Sequence, residues 1–447
     1  MANNRSIKIK GLGVAADKIV DAFSSDPLRV ISRTDPSAVL GADAVVDLFC
    51  GAGGMAEGFH LAGFHSVLGV DNWSPAGESF ARAHPKANVL IGDVEELTPE
   101  LLLEHSGLGP GDLGVLCGGP PCQGFSFAGK TLADDPRNHL YKDFLRAISV
   151  LLPAWVVMEN APALLANPQV GGAIHSDFER ITIGGKQAYE VQHVVVNAAG
   201  FGVPQTRTRV LFVAKRTDVK IRSEFDVRGW LAPQFSEAGE TRSLFAGPHY
   251  VSVDDAISDL PLIQAGEGAD QLAYSSKSET PYQALMRGEL QLAEYFAELG
   301  LAQPARTAKI PRSLHVYNHQ AQEHSALLVE RFSHIPPGGS KEDLRRVRPD
   351  LLPPEGHAEQ GLTYGRLWTD RPAPTIPANY SRPSGNRSIH PHVPRLITPR
   401  EAMRLSSFPD HYFLTGGKVA QREQVGNAVP PLLSFAVADR IFKAWKR

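Results

Sequence analysis

The stretch GGPPCQGFS, Gly118 to Ser126, sets one thiol, Cys122, behind two prolines and ahead of a glutamine, a glycine and an aromatic residue. A cysteine there can be a nucleophile, a metal ligand or a small apolar filler of a turn. Metal ligation fits poorly, because Cys117 and Cys122 have four residues between them and no second Cys/His pair at finger-like spacing completes four ligands. Glu159 closes the apolar run AWVVMEN, Ala154 to Asn160, where a carboxylate is costly to bury unless paired and so is either a cap or a functional group. In FGVPQTRTRV, Phe201 to Val210, period-two alternation puts Arg207 and Arg209 on one side of an extended segment. One thiol, one carboxylate and two arginines are candidates for a single cleft.

A second constellation lies earlier in the chain. Gly51, Gly53 and Ala56 fit G-x-G-x-x-G/A directly after an apolar run, and Asp71 follows twenty residues beyond the first glycine. The glycines let the backbone approach a ligand, and the acid after the next strand can accept from ribose hydroxyls. A further acid, Asp93, suits an adenine amino group. Each carboxylate alone also reads as a cap or turn residue. The pattern therefore points to adenosine without choosing between a nicotinamide dinucleotide and another adenosine-containing cofactor.

These residues need elements to hold them. Short apolar runs recur at Ala44–Phe49, Ser66–Asp71, Asn88–Val94, Leu113–Pro121, Ala154–Asn160, Val191–Ala198 and Arg209–Lys215, mostly separated by helix-compatible segments. That rhythm predicts a doubly wound α/β domain, with ligands at the carboxyl edge of a mostly parallel sheet. The last two strands lack a helix-length spacer and are expected to pair antiparallel. After about Arg216 the chain turns irregular and rich in Pro and Gly, which predicts a smaller domain with few regular elements. Helical patterning returns at Thr398–Phe408, with capping-box spacing from Thr398 to Glu401, and a closing helix is expected over Pro431–Trp445. The organisation expected is an N-terminal extension over 1–40, with a helix near Ala15–Phe23, then an α/β lobe over 41–217. An irregular domain over 218–394 and a C-terminal segment over 395–447 that returns to the lobe complete it.

Composition narrows the setting. Three cysteines in 447 residues, all in the first third, argue against a disulfide framework and for a reducing compartment. No signal-peptide pattern or bilayer-length apolar run is evident, so a soluble cytoplasmic protein is expected. The net charge is −3, yet residues 305–404 hold 15 Lys/Arg against 9 Asp/Glu. This basic segment is either a solvated face or a phosphate-binding surface.

Six motifs in order carry a family resemblance: DLFCGAGG from Asp47, GGPPCQGFS from Gly118, MENAPALL from Met158, QTRTR from Gln205, RLITPREAMRLSSFP from Arg395 and QVGNAVPP from Gln424. The chain resembles the DNA cytosine-5 methyltransferases. The resemblance implies an S-adenosylmethionine-dependent, Rossmann-like methyltransferase domain with a target recognition domain in residues 218–394. It implies Cys122 as the nucleophile on cytosine C6, Glu159 as the group acting at N3, Arg209 at the base O2, and Arg207 as its neighbour. Cofactor contacts carry over to Phe49, Gly51, Gly53, Asp71, Asp93, Leu140, Asn427 and Val429. DNA contacts carry over to Pro120, Gln123, Ser126, Lys130 and Thr375, and no metal is expected. Two positions depart from the family pattern: Asn72 follows Asp71 with Trp73 one place later, and Ala161 stands third in Glu159-Asn160-Ala161, where the family has ENV. The implied partners are double-stranded DNA and, in a restriction–modification or phage-defence setting in a bacterium or archaeon, a cognate endonuclease acting on the same DNA. A monomer is expected. The alternatives are a tRNA cytosine-5 methyltransferase, whose CFT-type signature is absent here, and a catalytically inactive DNA-binding relative.

Overall fold

The computed structural model describes residues 28–32, 41–121, 137–166, 168–236, 248–352, 364–383 and 385–446. Eight strands form one sheet: β1 (Arg29–Ser32), β2 (Ala44–Leu48), β3 (His65–Asp71), β4 (Asn88–Ile91), β5 (Val115–Gly118), β6 (Trp155–Asn160), β7 (Tyr189–Asn197) and β8 (Thr208–Arg216). Their spatial order is β1-β4-β3-β2-β5-β6-β8-β7. The pairs β4/β3, β3/β2, β2/β5 and β5/β6 are parallel, and β8 runs antiparallel to both β6 and β7. Each apolar run of the sequence thus becomes a strand, and the final two pair as their short spacer requires. Antiparallel β1 on the edge of β4 is an addition that the sequence patterning does not reveal. The helix expected near Ala15–Phe23 lies outside the described residues.

Period-two alternation divides each central strand between two apolar layers. Val45, Val115, Trp155, Val157, Leu211 and Val213 face one layer, which includes Phe59 of α1 (Gly54–Leu61). Val46, Leu48, Leu116, Val156, Met158 and Phe212 face the other. There they meet Leu102 of α3 (Pro99–Ser106), Phe144 and Ile148 of α4 (Arg137–Leu151), and Phe178 of α5 (Pro168–Arg180). Burial on both faces is why these strands read as continuous apolar runs. Helix α2 (Ser74–Ala83) covers β3 and β4, with Phe80 lying where a Cβ on Gly69 would stand.

The C-terminal segment supplies α6 (Pro399–Leu405), α7 (Lys418–Asn427) and α8 (Pro431–Ala444). The expected capping box is present, with Thr398 Oγ1 accepting from Glu401 N and Glu401 Oε2 accepting from Thr398 N. Helix α8 packs on α1 at backbone contact: a Cβ on Gly58 would fall 2.0 Å from Ser434 Oγ, and one on Gly54 would fall 2.2 Å from the Val429 carbonyl.

Residues 218–394 hold more regular structure than their Pro and Gly content suggests. Helices Val253–Ile257, Pro281–Arg287 and Lys341–Val347 each begin with a capping box, led by Ser252, Thr280 and Ser340. They were missed because each is shorter than two full helical turns of apolar pattern. A strand pair, Gly268–Ala273 with His315–Gln320, accompanies them. Val253, Ala256, Leu285, Ile310 and Val316 share the apolar layer of Val45 and Phe59, so this core continues past residue 217. Phe332, Ile335, Leu344, Leu351, Tyr364, Ile389 and Leu396 form a small core of their own.

Candidate active site

The carboxyl ends of β2, β3, β5 and β6 share one sheet edge, since their pairings are parallel. Glu159, at the end of β6, is 9% exposed. Its Oε1 lies 2.6 Å from Arg209 Nε on neighbouring β8. This approach is close without hydrogen-bond alignment, and Oε1 has no hydrogen-bond partner among the described residues. Arg209 also donates from Nη1 to the Thr208 carbonyl at 2.7 Å. A Cβ on Gly119 would stand 3.2 Å from Glu159 Oε2, so the glycine leaves room for the carboxylate beside the turn that leads to Cys122.

Asn160 fixes that turn. Its Nδ2 donates to the Pro120 carbonyl at 2.8 Å, and its Oδ1 accepts from Ala161 N at 2.9 Å. The described chain ends here at Pro121: Cys122, Gln123, Ser126 and Lys130 lie outside the described residues.

Arg207 does not stand beside Arg209 on one open face. It is 4% exposed, its Nη1 donates to the Gly426 carbonyl at 3.1 Å, and its Nε has no partner among the described residues. Burial, and then the nearby Arg209 charge, push its guanidinium down to about 10, with Glu159 opposing. The strand Gln205–Thr206 that precedes it pairs in parallel with Ala373–Pro374. Gln205 Nε2 donates to Ser406 Oγ at 3.0 Å, its Oε1 accepts from Ile376 N at 3.2 Å, and Thr375 Oγ1 donates to the Thr206 carbonyl at 3.1 Å. The alternation argument fails because the chain breaks between Thr206 and Thr208, which turns Arg207 inward toward α7.

At the other end of the edge, β2 runs into a turn built on positive φ: Phe49 at 60°, Gly51 at 52° and Gly53 at 88°. Asp71 Oδ2 accepts from Gly51 N at 2.8 Å and Oδ1 accepts from Trp73 N at 2.9 Å. Burial raises the Asp71 carboxyl, against those two backbone donors. Asp93 is exposed and caps the short helix Val94–Glu96 through Glu95 N at 3.0 Å. Asp71 thus ties two turns and Asp93 caps a helix. Phe49 and Leu140 are half-buried against the Leu48 layer, Asn427 is exposed at the end of α7, and Val429 is buried beside Gly54. An adenosine ligand fits this arrangement on one direct observation: a Cβ on Gly51 would meet nothing within 4 Å, so the turn opens onto free space there.

Much of the basic segment is internal. Arg366, Arg395, Arg400 and Arg404 are buried, and Arg331 and Arg387 donate to carbonyls. Arg345, Arg346 and Arg348 pair with Glu342, Asp343 and Asp350. Arg312, Arg345, Arg346, Arg371 and Arg382 are exposed. The excess charge of this segment is thus divided between buried, structural arginines and an exposed set.

Sequence reasoning also missed a buried polar floor under the glycine turn. Asp47 and Glu57 are each about 2% exposed or less, and burial pushes both carboxyls up to about 8. Asp47 Oδ2 has no hydrogen-bond partner among the described residues. His84 Nε2 lies 4.0 Å from Glu57 Oε2, and Tyr412 Oη donates to the Ala52 carbonyl. Asp47 and Glu57 read only as parts of a strand and a helix, while Tyr412 is 360 residues from its partner. No local pattern reports such a contact.

Residues 44–443 match the family described as C-5 cytosine-specific DNA methylase. The chain is 31% identical over 415 residues to the type II methyltransferase M.DdeI of Desulfomicrobium norvegicum, covering 89% of this chain and 88% of that protein. It is 32% identical over 403 residues to the type II methyltransferase M1.HphI of Haemophilus parahaemolyticus, covering 89% and 86%. A crystal structure of a prophage-encoded DNA modification methyltransferase from E. coli matches with a TM-score of 0.65 and 24% identity, over 89% of this chain and 98% of that one. That likeness bears on the fold.

Proposed function

Because this chain belongs to the family of C-5 cytosine-specific DNA methylases, we propose a specific route for its reaction. It is a DNA cytosine-5 methyltransferase of the type II restriction–modification kind. In the route proposed, Cys122 is the nucleophile, and Glu159 with Arg209 holds the base. The observation that carries this reading is the nine-tenths-buried Glu159 oxygen, 2.6 Å from Arg209 and without a hydrogen bond, beside the turn into Cys122.

Carbon 5 of cytosine is a weak nucleophile. Addition of the Cys122 thiolate to C6 forms a carbon–sulfur bond and moves an electron pair toward C5. Bound S-adenosylmethionine supplies an electrophilic methyl group. Once C5 has taken it, the C5 proton leaves to a base, the freed electron pair restores the C5–C6 double bond, and the thiolate departs. Glu159 assists by donating to N3 and accepting from the exocyclic amine. Arg209 then engages O2, and Arg207, held by the Gly426 carbonyl, supports it from below.

The cofactor is assigned to the turn lined by Phe49, Gly51 and Gly53, with Asp71, Asp93, Leu140, Asn427 and Val429 around it. Asp71 and Asp93 would accept from the adenosine while keeping their backbone partners, since each carboxylate oxygen has two lone pairs. None of this chemistry reaches a stacked base, so the target cytosine is flipped from double-stranded DNA. Pro120, Gln123, Ser126, Lys130 and Thr375 are assigned to DNA contacts, with Gln123, Ser126 and Lys130 in the loop that closes on the base. Residues 218–394 are assigned to target recognition, 41–217 and 395–447 to catalysis and cofactor, and 1–40 to an extension. A monomer acting in the cytoplasm, beside a cognate endonuclease in a restriction or phage-defence system, completes the reading.

Incubation with labelled S-adenosylmethionine and, separately, duplex DNA and tRNA tests it. Label in DNA at cytosine C5 is expected. Label in tRNA alone, or in neither, overturns it.

A further inference from the structure

We infer that Tyr412 is a positioning residue for the cofactor turn, acting through the carbonyl of Ala52. The inference rests on the reading that residues 49–53 hold the cofactor. Tyr412 is 1% exposed, and its hydroxyl donates to the Ala52 carbonyl, between the two glycines of the turn. A Cβ on Gly53 would stand 2.6 Å from the same hydroxyl, 2.9 Å from Phe80 and 3.2 Å from His84 Nε2, so the backbone lies directly on these side chains.

Tyr412 is itself fixed. Its ring meets Phe408 edge-on at 5.0 Å between centroids, and the Arg400 guanidinium donates to its backbone carbonyl. Arg400 is fully buried and its Nε donates to the Tyr317 carbonyl at 2.7 Å. Phe408 also reaches the turn, where a Cβ on Gly54 would lie 3.0 Å from its ring.

The need for such a tie is physical. Left-handed residues at Gly51 and Gly53, on either side of Ala52, are strained for ordinary chain and soft for glycine, so the turn has many accessible conformations unless something outside it selects one. Asp71 fixes the amide of Gly51 from one side. Tyr412 fixes the next carbonyl from the other, and carries the order of the C-terminal segment into the site. The neighbouring Glu57 and His84 make no hydrogen bond to the Ala52 carbonyl. Glu57 Oε1 and His84 Nε2 are buried without a hydrogen-bond partner among the described residues.

The test compares full-length wild type, Tyr412→Phe and Tyr189→Phe for binding of S-adenosylhomocysteine by calorimetry. Tyr189 is a control, because its buried hydroxyl donates to the Pro153 carbonyl at 2.8 Å in the opposite apolar layer. Thermal unfolding should show both variants folded, with similar small losses. Tyr412→Phe should weaken binding by about 3- to 10-fold, the equivalent of one ordinary hydrogen bond, and Tyr189→Phe should not. Rapid backbone amide exchange at Gly53 and Gly54 in Tyr412→Phe alone is the second expected signature, read without ligand. Equal affinity and equal exchange in the two variants would overturn the inference. Failure of wild type to bind at all would instead sink the cofactor reading on which it rests.

Discussion

Arg209 Nε and Glu159 Oε1 stand 2.6 Å apart across the antiparallel pair β8 and β6, at the edge where the turn toward Cys122 leaves the sheet. The close approach without hydrogen-bond alignment leaves a buried oxygen whose partner must come from elsewhere. In the reaction proposed, a flipped cytosine, with a donor amine next to an acceptor ring nitrogen, would meet that need.

Two variants separate the charge from the contact. Glu159→Gln keeps the shape but cannot supply a proton to N3, and should lower kcat by about 100-fold or more while S-adenosylhomocysteine binds as in wild type. Arg209→Ala should lower kcat too, with a raised KM for DNA. Single-turnover methylation and calorimetry check both, and a Glu159→Gln enzyme with wild-type kcat would remove Glu159 from the chemistry.

Asn160 makes a quieter prediction. Its bond to the Pro120 carbonyl holds the residues just before the thiol. Asn160→Ala should reduce kcat by about 10- to 100-fold through misplacement of Cys122, with little change in cofactor affinity. A change confined to cofactor binding would contradict this.

A third prediction concerns stability. Asp259 is 1% exposed and pairs with Arg287 at 2.5 Å and Arg404 at 3.1 Å, while Arg404 also pairs with Asp410 at 2.5 Å. Removing Asp259 leaves two buried guanidinium groups short of a partner. Asp259→Ala should cost about 3–5 kcal/mol, measured by urea unfolding. A loss below about 1 kcal/mol would mean that Asp410 and nearby carbonyls compensate fully.

The pH dependence has a definite sign. Glu57 moves from an ordinary 4.5 to about 8 on folding because burial disfavours its charge, and Asp47 moves from 3.8 to about 8 for the same reason. Between those values the folded chain binds more protons than the unfolded one, so stability falls as pH rises. The buried histidines act on the other side. His84 and His390 fall from 6.5 to about 3, and His411 to about 4, so their contribution is lost as pH drops below 6.5. Glu57→Gln should flatten the decline between pH 6 and 8 by about 1 kcal/mol per pH unit relative to wild type. Parallel wild-type and variant curves across that range would show that Glu57 is already ionised.

The sheet was legible in the sequence because strands buried on both faces must be mostly apolar, as AVVDL and WVVMEN are up to the polar residues near their carboxyl ends. The antiparallel turn at the end followed from a missing spacer. Short helices such as Lys341–Val347 were not legible, since a capping box over seven residues carries no apolar periodicity. Within the candidate site, Glu159 and Arg209 were found by residue type and strand position, and they meet. Arg207 was misplaced because a break between Thr206 and Thr208 resets the alternation. Arg395 and Arg404 looked like surface charge but are buried, paired with Glu401, Asp259 and Asp410 from other turns of chain. Charge counted along a sequence cannot distinguish the two cases. Tyr412, Asn160 and His84 depend on contacts between segments far apart or across a turn, which no local pattern encodes.

The central claim is that Cys122 attacks cytosine C6, and duplex DNA carrying 5-fluorocytosine at the target position tests it most directly. Fluorine cannot leave C5 as the proton does, so the methylated adduct should persist through denaturation. Digestion and mass spectrometry should then find the base attached within the peptide containing Gly118 to Ser126, at Cys122. Methylation of ordinary DNA with no adduct on the fluorinated duplex, or attachment at another residue, would contradict the account.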